Sequence, residues 1–357
     1  MRIHYVAYPL QPVTPASSGG AEQILLMLER AMHARGHSTV LAACEGSTPA
    51  GELLTTGLAG GLPDQFEPRL AQHIRAVLTY AHDRDFDLIH DHSHWFWPHA
   101  GKVDVPVLAT LHLPRAFYPS TAFANVPANV SFNCVSSSQA EDFRDLNPQT
   151  IENGIDLSLY IPGDRKWNYV LWLGRICEEK APHLAIAAAR AANVPLIIAG
   201  SVYPFSYHQQ YFEREVAPHL DGERVKSVPA PSFEDKRQLL RQAQAVLITS
   251  QCAETSSLVA IEALACGTPV IAFGNGALPS IIQHGQTGFI VDSVQGMTDA
   301  IAFVNQIDSP RCRAQAEQRF SSLRMCDAYE RLYELLVSPR INADERRSQK
   351  LLALRTF

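Results

Sequence analysis

The apolar positions near the N-terminus first follow a strand pattern and then a helix pattern. The run RIHYVAY (2–8) is compact and apolar, and a loop rich in proline and serine follows it. In AEQILLMLERAMHARGH (21–37) apolar residues recur at helical spacing until Gly36, after which STVLAA resumes a strand. A strand, a helix and a strand within about 45 residues form a βαβ unit, which predicts a parallel sheet with right-handed crossovers.

The same alternation continues along the chain and then begins afresh. Three more buried strands, FDLIH, VPVLATLH and VSFNCVSS, precede a linker-like segment, ENGIDLSLYIPGDRKWN. Six strands follow it: YVLWLG, VPLIIAG, VKSVP, AVLITS, PVIAFG and TGFIV. The pattern predicts an α/β protein with two doubly wound parallel-sheet domains, residues 1–160 and 161–324, that share a ligand cleft at the C-terminal ends of their strands. A helix near 325–345 is expected to pack back on the first domain, and 338–357 are expected to form a charged tail.

The charge of the chain excludes some classes of partner. The 357 residues carry a net charge of −6, and the first 150 hold nine Lys and Arg against fourteen Asp and Glu. Nucleic acids and anionic lipids both require concentrated positive charge, which this acidic half lacks. We therefore expect neither nucleic acid nor a membrane among the partners.

Compartment and cysteine chemistry follow from what the sequence lacks. No apolar run reaches the roughly 18 residues of a membrane span, and the N-terminus has a strand pattern in place of a signal pattern, so a cytoplasmic protein is expected. The seven cysteines are scattered and include no C-x-x-C pair. Reduced thiols are therefore expected, and neither disulfides nor a zinc site.

The segment LGRICEEKAPHLAI places two cations between a strand and a helix. Arg175 follows Gly174 at the end of the first strand of the second domain, and Lys180 stands just before a helix that begins near Pro182. A guanidinium fork, an ammonium group and the free N–H groups of a helix N-terminus together suit a diphosphate. The alternative is that both cations are solvated at the surface.

Two glutamates mark the segment QCAETSSLVAIEALACGTPVIAF (251–273). Glu254 lies in a loop between a strand and a helix whose N-cap is expected among residues 255–257, so its carboxylate can accept hydrogen bonds from hydroxyl groups. Glu262 lies on a mostly apolar face of that helix, where an unpaired carboxylate is costly and a diol would supply two donors. The alternatives are an acid that complements the helix dipole for Glu254 and an exposed helical acid for Glu262.

Two glycines before the first helix are further candidates for ligand contacts. Gly19 and Gly20 stand directly before the first helix, where the backbone can approach a phosphate or a sugar closely, although a double glycine is equally typical of a flexible loop. They do not form a G-x-G-x-x-G fingerprint, which argues against an NAD enzyme.

Histidines are abundant at the predicted strand ends. In LIHDHSHWFW, alternation puts His90, His92 and His94 on one side, as in a metal site, but no second ligand cluster accompanies them and no metal is expected. Polar contacts with an acceptor or a sugar are the favoured role. The aromatic residues 95–97 that follow are compatible with an acceptor wall or with core packing.

Taken together, these segments resemble the retaining glycosyltransferases of family 4, which have the GT-B architecture: two Rossmann-like domains that face each other across a nucleotide-sugar cleft. The resemblance covers nearly the whole chain: GGAEQ, FDLIHDHS, VPVLATLH, VSSSQAEDF, IENGID, LGRICEEKAPHLAI, AETSSLVAIEALACGTPVIAF and GQTGFIVDS. The element Glu254-x7-Glu262 is the most specific. Within the family, these motif sequences are similar to those of the compact bacterial branch that includes avilamycin-type and UDP-glucose:tetrahydrobiopterin glucosyltransferases.

The resemblance implies a role for each matching residue. Arg175 and Lys180 would bind the donor diphosphate and stabilise its charge as the sugar leaves. Glu254 would hold hydroxyls of the donor sugar, and Glu262 the hydroxyls of the ribose. Further roles are implied for His112 near the reacting carbon, for Gly19, Gly20, Gly174, Ser256, Ser257 and Leu258 as donor-binding residues, and for His92 on the acceptor side.

The implied reaction moves a hexose, with UDP-glucose as the expected donor, to a hydroxyl of a small-molecule or glycan acceptor. The family resemblance implies retention by front-face displacement, without a metal or a bound cofactor, and is compatible with a homodimer. A nucleotide-sugar epimerase of the same shape and a non-catalytic binding protein remain alternatives. Donor choice stays open, because Glu254 precedes Thr-Ser-Ser-Leu where the family commonly has x-Phe-Gly-Leu, and Ser280 stands where glutamate is frequent.

Overall fold

A computed structural model describes residues 1–17, 19–61, 65–163 and 165–338. The first domain is built on a seven-stranded parallel sheet with the strand order β3-β2-β1-β4-β5-β6-β7. Its strands are β1 Arg2–Val6, β2 Ser38–Ala43, β3 Glu52–Thr55, β4 Leu88–Asp91, β5 Val107–Leu111, β6 Val130–Cys134 and β7 Gln149–Thr150. Its helices are α1 Gly20–Ala34, α2 Phe66–His82 and α3 Ser137–Asp142.

The second domain is built on a six-stranded parallel sheet with the order β10-β9-β8-β11-β12-β13. Its strands are β8 Val170–Leu173, β9 Leu196–Gly200, β10 Val225–Pro229, β11 Ala245–Ile248, β12 Val270–Phe273 and β13 Gly288–Val291. Its helices are α4 Pro182–Ala191, α5 Ser206–Tyr211, α6 Phe233–Gln242, α7 Leu258–Ala265, α8 Leu278–Ile281, α9 Val294–Phe303 and α10 Ser309–Arg319, and the last helix, α11, is Ser322–Val337.

Each sheet buries apolar residues on both faces, which is why the strands are almost continuously apolar. In β1, Ile3 and Tyr5 join the cluster that holds α1 and α11, whereas Val6 joins the cluster on the opposite face with α2. The second sheet is covered in the same way by two clusters. The two-domain, doubly wound α/β architecture predicted from the apolar pattern is therefore confirmed.

The strand order reverses at one point in each sheet, and this fixes where ligands can bind. In the second sheet the reversal lies between β8 and β11, whose connections leave in opposite directions and open a crevice at the carboxyl ends of the strands. The loops that carry Arg175 and Glu254 follow these two strands. The fold itself thus brings together two segments that are about 80 residues apart in sequence.

Within residues 1–338, as far as they are described, the chain crosses between the domains twice, and the two crossings run side by side. Ile155 N–H donates to Phe320 O at 2.9 Å, and Ser322 N–H donates to Ile155 O at 2.8 Å. A Cβ on Gly154 would lie 2.4 Å from Ser321 O, so the two backbones are in direct contact. The second crossing delivers α11 to the first domain.

Helix α11 begins where Ser321 caps it, since Arg324 N–H donates to the Ser321 hydroxyl at 3.2 Å. It packs against α1, and Tyr329 and Tyr333 are fully buried in the first domain. The apolar pattern predicts α10 and α11 as one helical stretch and does not predict β3, β7 or α2. The predicted tail lies outside the described residues beyond Ser338, and in the described residues no helix combines the length and apolarity of a membrane span.

Two substitutions on α11 test how much its packing stabilises the first domain. Tyr329→Ala deletes a fully buried ring and should lower the free energy of unfolding by about 3 kcal/mol or more. Leu335→Ala, on the same helix but 76% exposed, should change it by less than about 0.5 kcal/mol. Urea unfolding monitored by circular dichroism measures both, and equal effects would contradict the described packing.

Candidate active site

A cavity of about 630 Å³ lies between the two domains, a size suited to a small organic ligand. The first domain contributes the loop before α1, and the second contributes the loops that follow β8, β9, β10 and β11. Ten predicted site residues line it: Gly19, Gly20, Gly174, Arg175, Lys180, Glu254, Ser256, Ser257, Leu258 and Glu262. The structure thus collects at one place nearly all of the residues that the sequence singles out.

Lys180 and Glu254 form an ion pair at the wall of this cavity. Lys180 Nζ lies 2.5 Å from Glu254 Oε1, and the two side chains are 28% and 10% exposed. The Ser250 hydroxyl donates to the same carboxylate oxygen. Burial lowers the pKa of Lys180, but attraction to Glu254 outweighs it and the net pKa is raised, so Lys180 stays a cation at neutral pH.

Two more positive groups face the same space. Arg175 lines the cavity and lies 5.6 Å from the centre of the Tyr203 ring, in a cation–π contact. Helix α7 begins at Leu258 beside the cavity, with Ser257 as its N-cap, and the Ser257 side chain makes no capping hydrogen bond. The first-turn N–H groups of α7 carry partial positive charge. Together with Lys180 they form a site suited to a diphosphate.

Glu262 is buried and paired. It is therefore not the exposed helical acid that the sequence allowed as an alternative. Only 2% of its side chain is exposed, and its Oε1 accepts from the Tyr160 hydroxyl at 2.7 Å and from Lys236 Nζ at 2.6 Å. Both of these bonds use Oε1, and Glu262 also lines the cavity. Its second oxygen, Oε2, takes part in neither of these two bonds.

The backbone around Glu254 is fixed by a glycine from the next strand-to-helix loop. Glu254 O accepts from Ala277 N–H at 2.7 Å, and Glu254 and Gly276 form an isolated β-bridge. Gly276 has φ +64°, and a Cβ there would lie 2.2 Å from Glu254 O. Only glycine fits this close approach without displacing the glutamate.

The two domains touch at the edge of the cavity. The Thr255 hydroxyl donates to His112 O at 2.9 Å, which joins the residue after Glu254 to the end of β5. On the other side, a Cβ on Gly20 would lie 3.2 Å from Leu258 Cδ1, an unusually close contact. Glycine before α1 therefore allows the first domain to approach the start of α7.

His112 and His92 lie beside the cavity but are not part of its lining. His92 is 2% exposed, and its Nδ1 shares a hydrogen bond of 2.9 Å with His112 Nε2. His92 Nε2 lies 3.3 Å from His90 Nδ1, which is also 2.7 Å from the Tyr333 hydroxyl, and His90 Nε2 is 2.8 Å from Thr110 Oγ1. The acceptor role of His92 and the sugar contact of His112 remain predictions.

The loop after β4 is shaped by a carboxylate that the sequence does not single out. Buried Asp91 accepts from Ser93 N–H at 2.7 Å and from Trp97 N–H at 2.8 Å. His94 then takes φ +71° and turns towards His112. Phe96 and Trp97 are in the core, so these two aromatic residues do not form an acceptor wall.

Sequence reasoning misses the groups that hold the two glutamates: Lys236, Tyr160, Ser250 and Gly276. The one signal available is that a glutamate on an apolar helix requires a partner. That rule does not say which residue supplies it, because α6 and the linker approach α7 only in the folded chain.

Two family models match the chain, one for each domain. The model described as Glycosyltransferase Family 4 matches residues 18–159, and the model described as Glycosyl transferases group 1 matches residues 162–318. The chain belongs to the family 4 glycosyltransferases.

A curated relative agrees with this assignment. The D-inositol 3-phosphate glycosyltransferase of Mycobacterium sp. (strain KMS) is 28% identical over 297 residues, which are 72% of this chain and 66% of the relative. The chain thus spans slightly less than two thirds of the length of that relative.

Solved structures show the GT-B fold. AviGT4, a glycosyltransferase involved in avilamycin A biosynthesis, matches with a TM-score of 0.70 and 21% identity over 95% of this chain and 98% of its own. HepE from Anabaena in complex with UDP and glucose matches with a TM-score of 0.72 and 20% identity over 93% of this chain and 99% of its own. Such likeness establishes a shared architecture for the family 4 chain.

A pair of glycine substitutions tests the contact that positions Glu254. Gly276 and Gly285 both have positive φ, +64° and +74°, so alanine at either position should cost about 1–2 kcal/mol of backbone strain. No atom of the described part of the chain lies within 4 Å of a Cβ on Gly285, whereas Gly276→Ala collides with Glu254. We expect Gly276→Ala to be the more destabilising by about 2 kcal/mol in urea unfolding. Equal losses would contradict the contact.

The buried histidines predict a loss of stability in mild acid. Burial, reinforced by the neighbouring imidazoles, lowers the pKa of His90, His92 and His112 well below the usual range. They are neutral in the folded chain, whereas the unfolded chain binds protons below about pH 6.5, so the free energy of unfolding should fall as the pH drops from 7.5 to 5.5.

In His92→Gln this loss should be smaller by about 1.4 kcal/mol, since one titrating group is gone. His82→Gln, at an exposed position, should keep the full dependence. Urea titrations at the two pH values measure the difference. An unchanged pH dependence in His92→Gln would show that His92 titrates alike in the folded and the unfolded chain, and a larger loss would show that it is already protonated in the folded chain. Either result would contradict the prediction.

Proposed function

We propose that the chain is a retaining glycosyltransferase that moves a hexose, most simply glucose from UDP-glucose, to a hydroxyl of a small-molecule or glycan acceptor. The observation that carries the proposal is the Lys180–Glu254 ion pair at the wall of the interdomain cavity. A cation and an anion side by side match a donor that presents a charged diphosphate next to a hydroxyl-bearing sugar.

Donor binding would exchange the partners of this pair. The diphosphate replaces Glu254 as the counter-ion of Lys180, while Arg175 and the N-terminus of α7 bind its remaining oxygens. Glu254 Oε1, which now accepts from Lys180 and Ser250, is then available to sugar hydroxyls. Lys180 exchanges one anionic partner for another, and Glu254 gains the sugar hydroxyls as donors. Neither buried charge is left without a partner, so the exchange avoids most of the cost of an unpaired buried charge.

The nucleoside would bind where Glu262 lines the same cavity. Glu262 is held by Lys236 and Tyr160 through Oε1, so Oε2 can accept from the ribose 2′ and 3′ hydroxyls. Glu254, which would bind the sugar, precedes α7, and Glu262, which would bind the ribose, lies within it. The loop and helix therefore fix the spacing of the two carboxylates. That arrangement supports a nucleotide sugar as the donor.

Catalysis then comes from positioning and from charge stabilisation. As the sugar–phosphate bond breaks, negative charge grows on the diphosphate, beside Lys180, Arg175 and the α7 N-terminus. The acceptor hydroxyl attacks from the same face as the leaving group, which helps to remove the hydroxyl proton, so the configuration is retained. The proposed reaction uses no metal and no bound cofactor.

The comparisons support particular substrates to test. HepE, which shares the fold, is described in complex with UDP and glucose, which favours a uridine donor. The curated relative is named for transfer to D-inositol 3-phosphate, which makes a phosphorylated cyclitol one acceptor to include. A cytoplasmic location and a homodimer remain predictions from the sequence.

Substitution of the ion pair tests the proposal. Lys180→Ala and Glu254→Ala should each lower kcat/KM at least about tenfold, or about 1.4 kcal/mol of transition-state binding, without unfolding the chain. Lys226→Ala, at an exposed position on β10, is the matched control and should keep full activity. Release of the nucleoside diphosphate is measured with UDP-glucose and UDP-GlcNAc (as UDP) and with GDP-mannose (as GDP), against a panel of acceptors. Full activity in both variants would overturn the site.

Product analysis separates the proposal from its two alternatives. A retaining transferase gives UDP and an α-glycoside, which proton NMR identifies by its anomeric coupling. An epimerase gives UDP and an isomerised sugar without any acceptor. Donor binding with no turnover on any acceptor would instead indicate a sugar-nucleotide-binding protein.

A further inference from the structure

Three side chains with metal-binding atoms meet at the phosphate-binding loop, the turn between β8 and α4 (residues 174–181) that carries Arg175 and Lys180. Cys177 Sγ, a carboxylate oxygen of Glu179 and a ring nitrogen of His208 all lie within 4.8 Å of one another. Cys177 and His208 are fully buried, and Glu179 is partly exposed. Two of the three come from the turn between β8 and α4, and the third comes from α5.

The cluster leaves polar atoms without partners. Among the residues that the structure describes, neither ring nitrogen of His208 has a hydrogen-bond partner, and the same is true of the buried Oε2 of Glu179. Each such orphaned atom costs roughly 1–3 kcal/mol when it is removed from water. The rings of Phe205 and Tyr207 meet the His208 imidazole at 5.3 and 4.2 Å between centroids and supply apolar contact only. A ligand that engages these atoms would remove the deficit.

We propose that Cys177, Glu179 and His208 bind a Zn²⁺ ion that ties the phosphate-binding loop to α5. Thiolate, carboxylate and imidazole are all zinc ligands, and tetrahedral coordination places such atoms about 3.3–3.8 Å apart, so side-chain movements on the order of 1 Å complete the site. Water takes the fourth position, and partly exposed Glu179 provides the route of entry.

The charges of this site balance. Zinc binding replaces the thiol proton of Cys177, which leaves to solvent, and the resulting thiolate with the Glu179 carboxylate neutralises the two positive charges of the ion. Arg175, which lies in the same turn, therefore stands beside a neutral complex and keeps its charge for a phosphate. The combination of sulfur and nitrogen ligands favours Zn²⁺ over Mg²⁺ or Ca²⁺.

The site acts on the loop and takes no part in the reaction. Cys177 and Glu179 stand between Arg175 and Lys180, and Glu179 O also accepts from Gln251 N–H at 2.7 Å. A metal bond from this turn to His208 fixes the loop on which both cations are mounted. Sequence spacing gives no sign of the site, because its ligands come from two separate connections of the sheet.

Zinc binding by the full chain tests the proposal without any assay of activity. The protein is freed of metals with EDTA and titrated with Zn²⁺ against a chromophoric chelator, and with Co²⁺, whose thiolate complexes absorb in the near ultraviolet. We expect one zinc ion to bind per chain. Glu179→Gln and His208→Gln should each lower the zinc affinity at least about a hundredfold, since even the loss of an outer-shell partner costs 10–100-fold in metal affinity.

Cys252→Ser is the matched control, because Cys252 is the one cysteine of the seven that is not buried. It should bind zinc as the parent chain does and keep the cobalt band, whereas Cys177→Ser should lose the band. Circular dichroism checks that each variant is folded, and Glu179→Gln preserves the shape of the side chain. Absence of stoichiometric zinc, or binding that survives both Glu179→Gln and His208→Gln, would overturn the site.

Hydrogen–deuterium exchange tests the link between loop and helix. Zinc should slow exchange in peptides that cover 174–181 and 205–212, and it should leave 278–291 unchanged. In Glu179→Gln the protection should disappear. Equal exchange rates in these two peptides with and without zinc would show that the ion does not hold the loop. That result would be independent of the reaction that the chain catalyses.

Discussion

The segment Glu254–Thr255 is the point at which four loops of this protein meet, and the geometry of the cavity depends on it. The Glu254 side chain pairs with Lys180 from the turn after β8, and the Glu254 backbone bonds to Ala277 beyond β12. The next residue, Thr255, bonds to His112 at the end of β5 in the other domain. Glu254 and the residue after it therefore couple Lys180 to both the second sheet and the first domain.

The two glutamates of α7 and its loop are held in opposite ways, and the difference follows from their positions. Glu254 precedes the helix at the cavity wall, where its present partner, Lys180, is itself suited to bind a phosphate. Glu262 lies one to two turns into the helix, 2% exposed, where a carboxylate without partners would be very costly. Lys236 and Tyr160 hold it through one oxygen. A partner that a ligand can replace suits the reacting end of a donor, and a more deeply buried pair suits the end that is only recognised.

Much of this organisation could be predicted from the sequence, because parallel-sheet strands are nearly continuous apolar runs and their carboxyl ends meet at one edge. Arg175, Lys180 and Glu254 follow such runs, so their convergence needs only the topology. The pairing of Lys180 with Glu254, the fit of Gly276 and the meeting of Cys177 with His208 could not be predicted. Each depends on how two loops from separate strands are positioned relative to each other in space, and no local sequence pattern encodes that. The short edge strands β3 and β7 are partly exposed and lack the apolar signal.

The contacts between the domains are unequal, and this inequality bears on how a donor enters. At the crossings, backbone bonds from Ile155 to Phe320 and Ser322 hold the two chain segments in register. At the cavity, the domains meet through the Thr255 hydroxyl and through the close approach of Gly20 to Leu258. A single neutral hydrogen bond contributes only about 1 kcal/mol, so the cavity edge separates far more easily than the crossings do. Rotation about the crossings would thus open the cavity while leaving the Lys180–Glu254 pair intact, because both of its members belong to the second domain. Under the proposed function, the donor would then bind to a preformed charged site, and closure of the first domain over it would exclude water before the sugar is transferred.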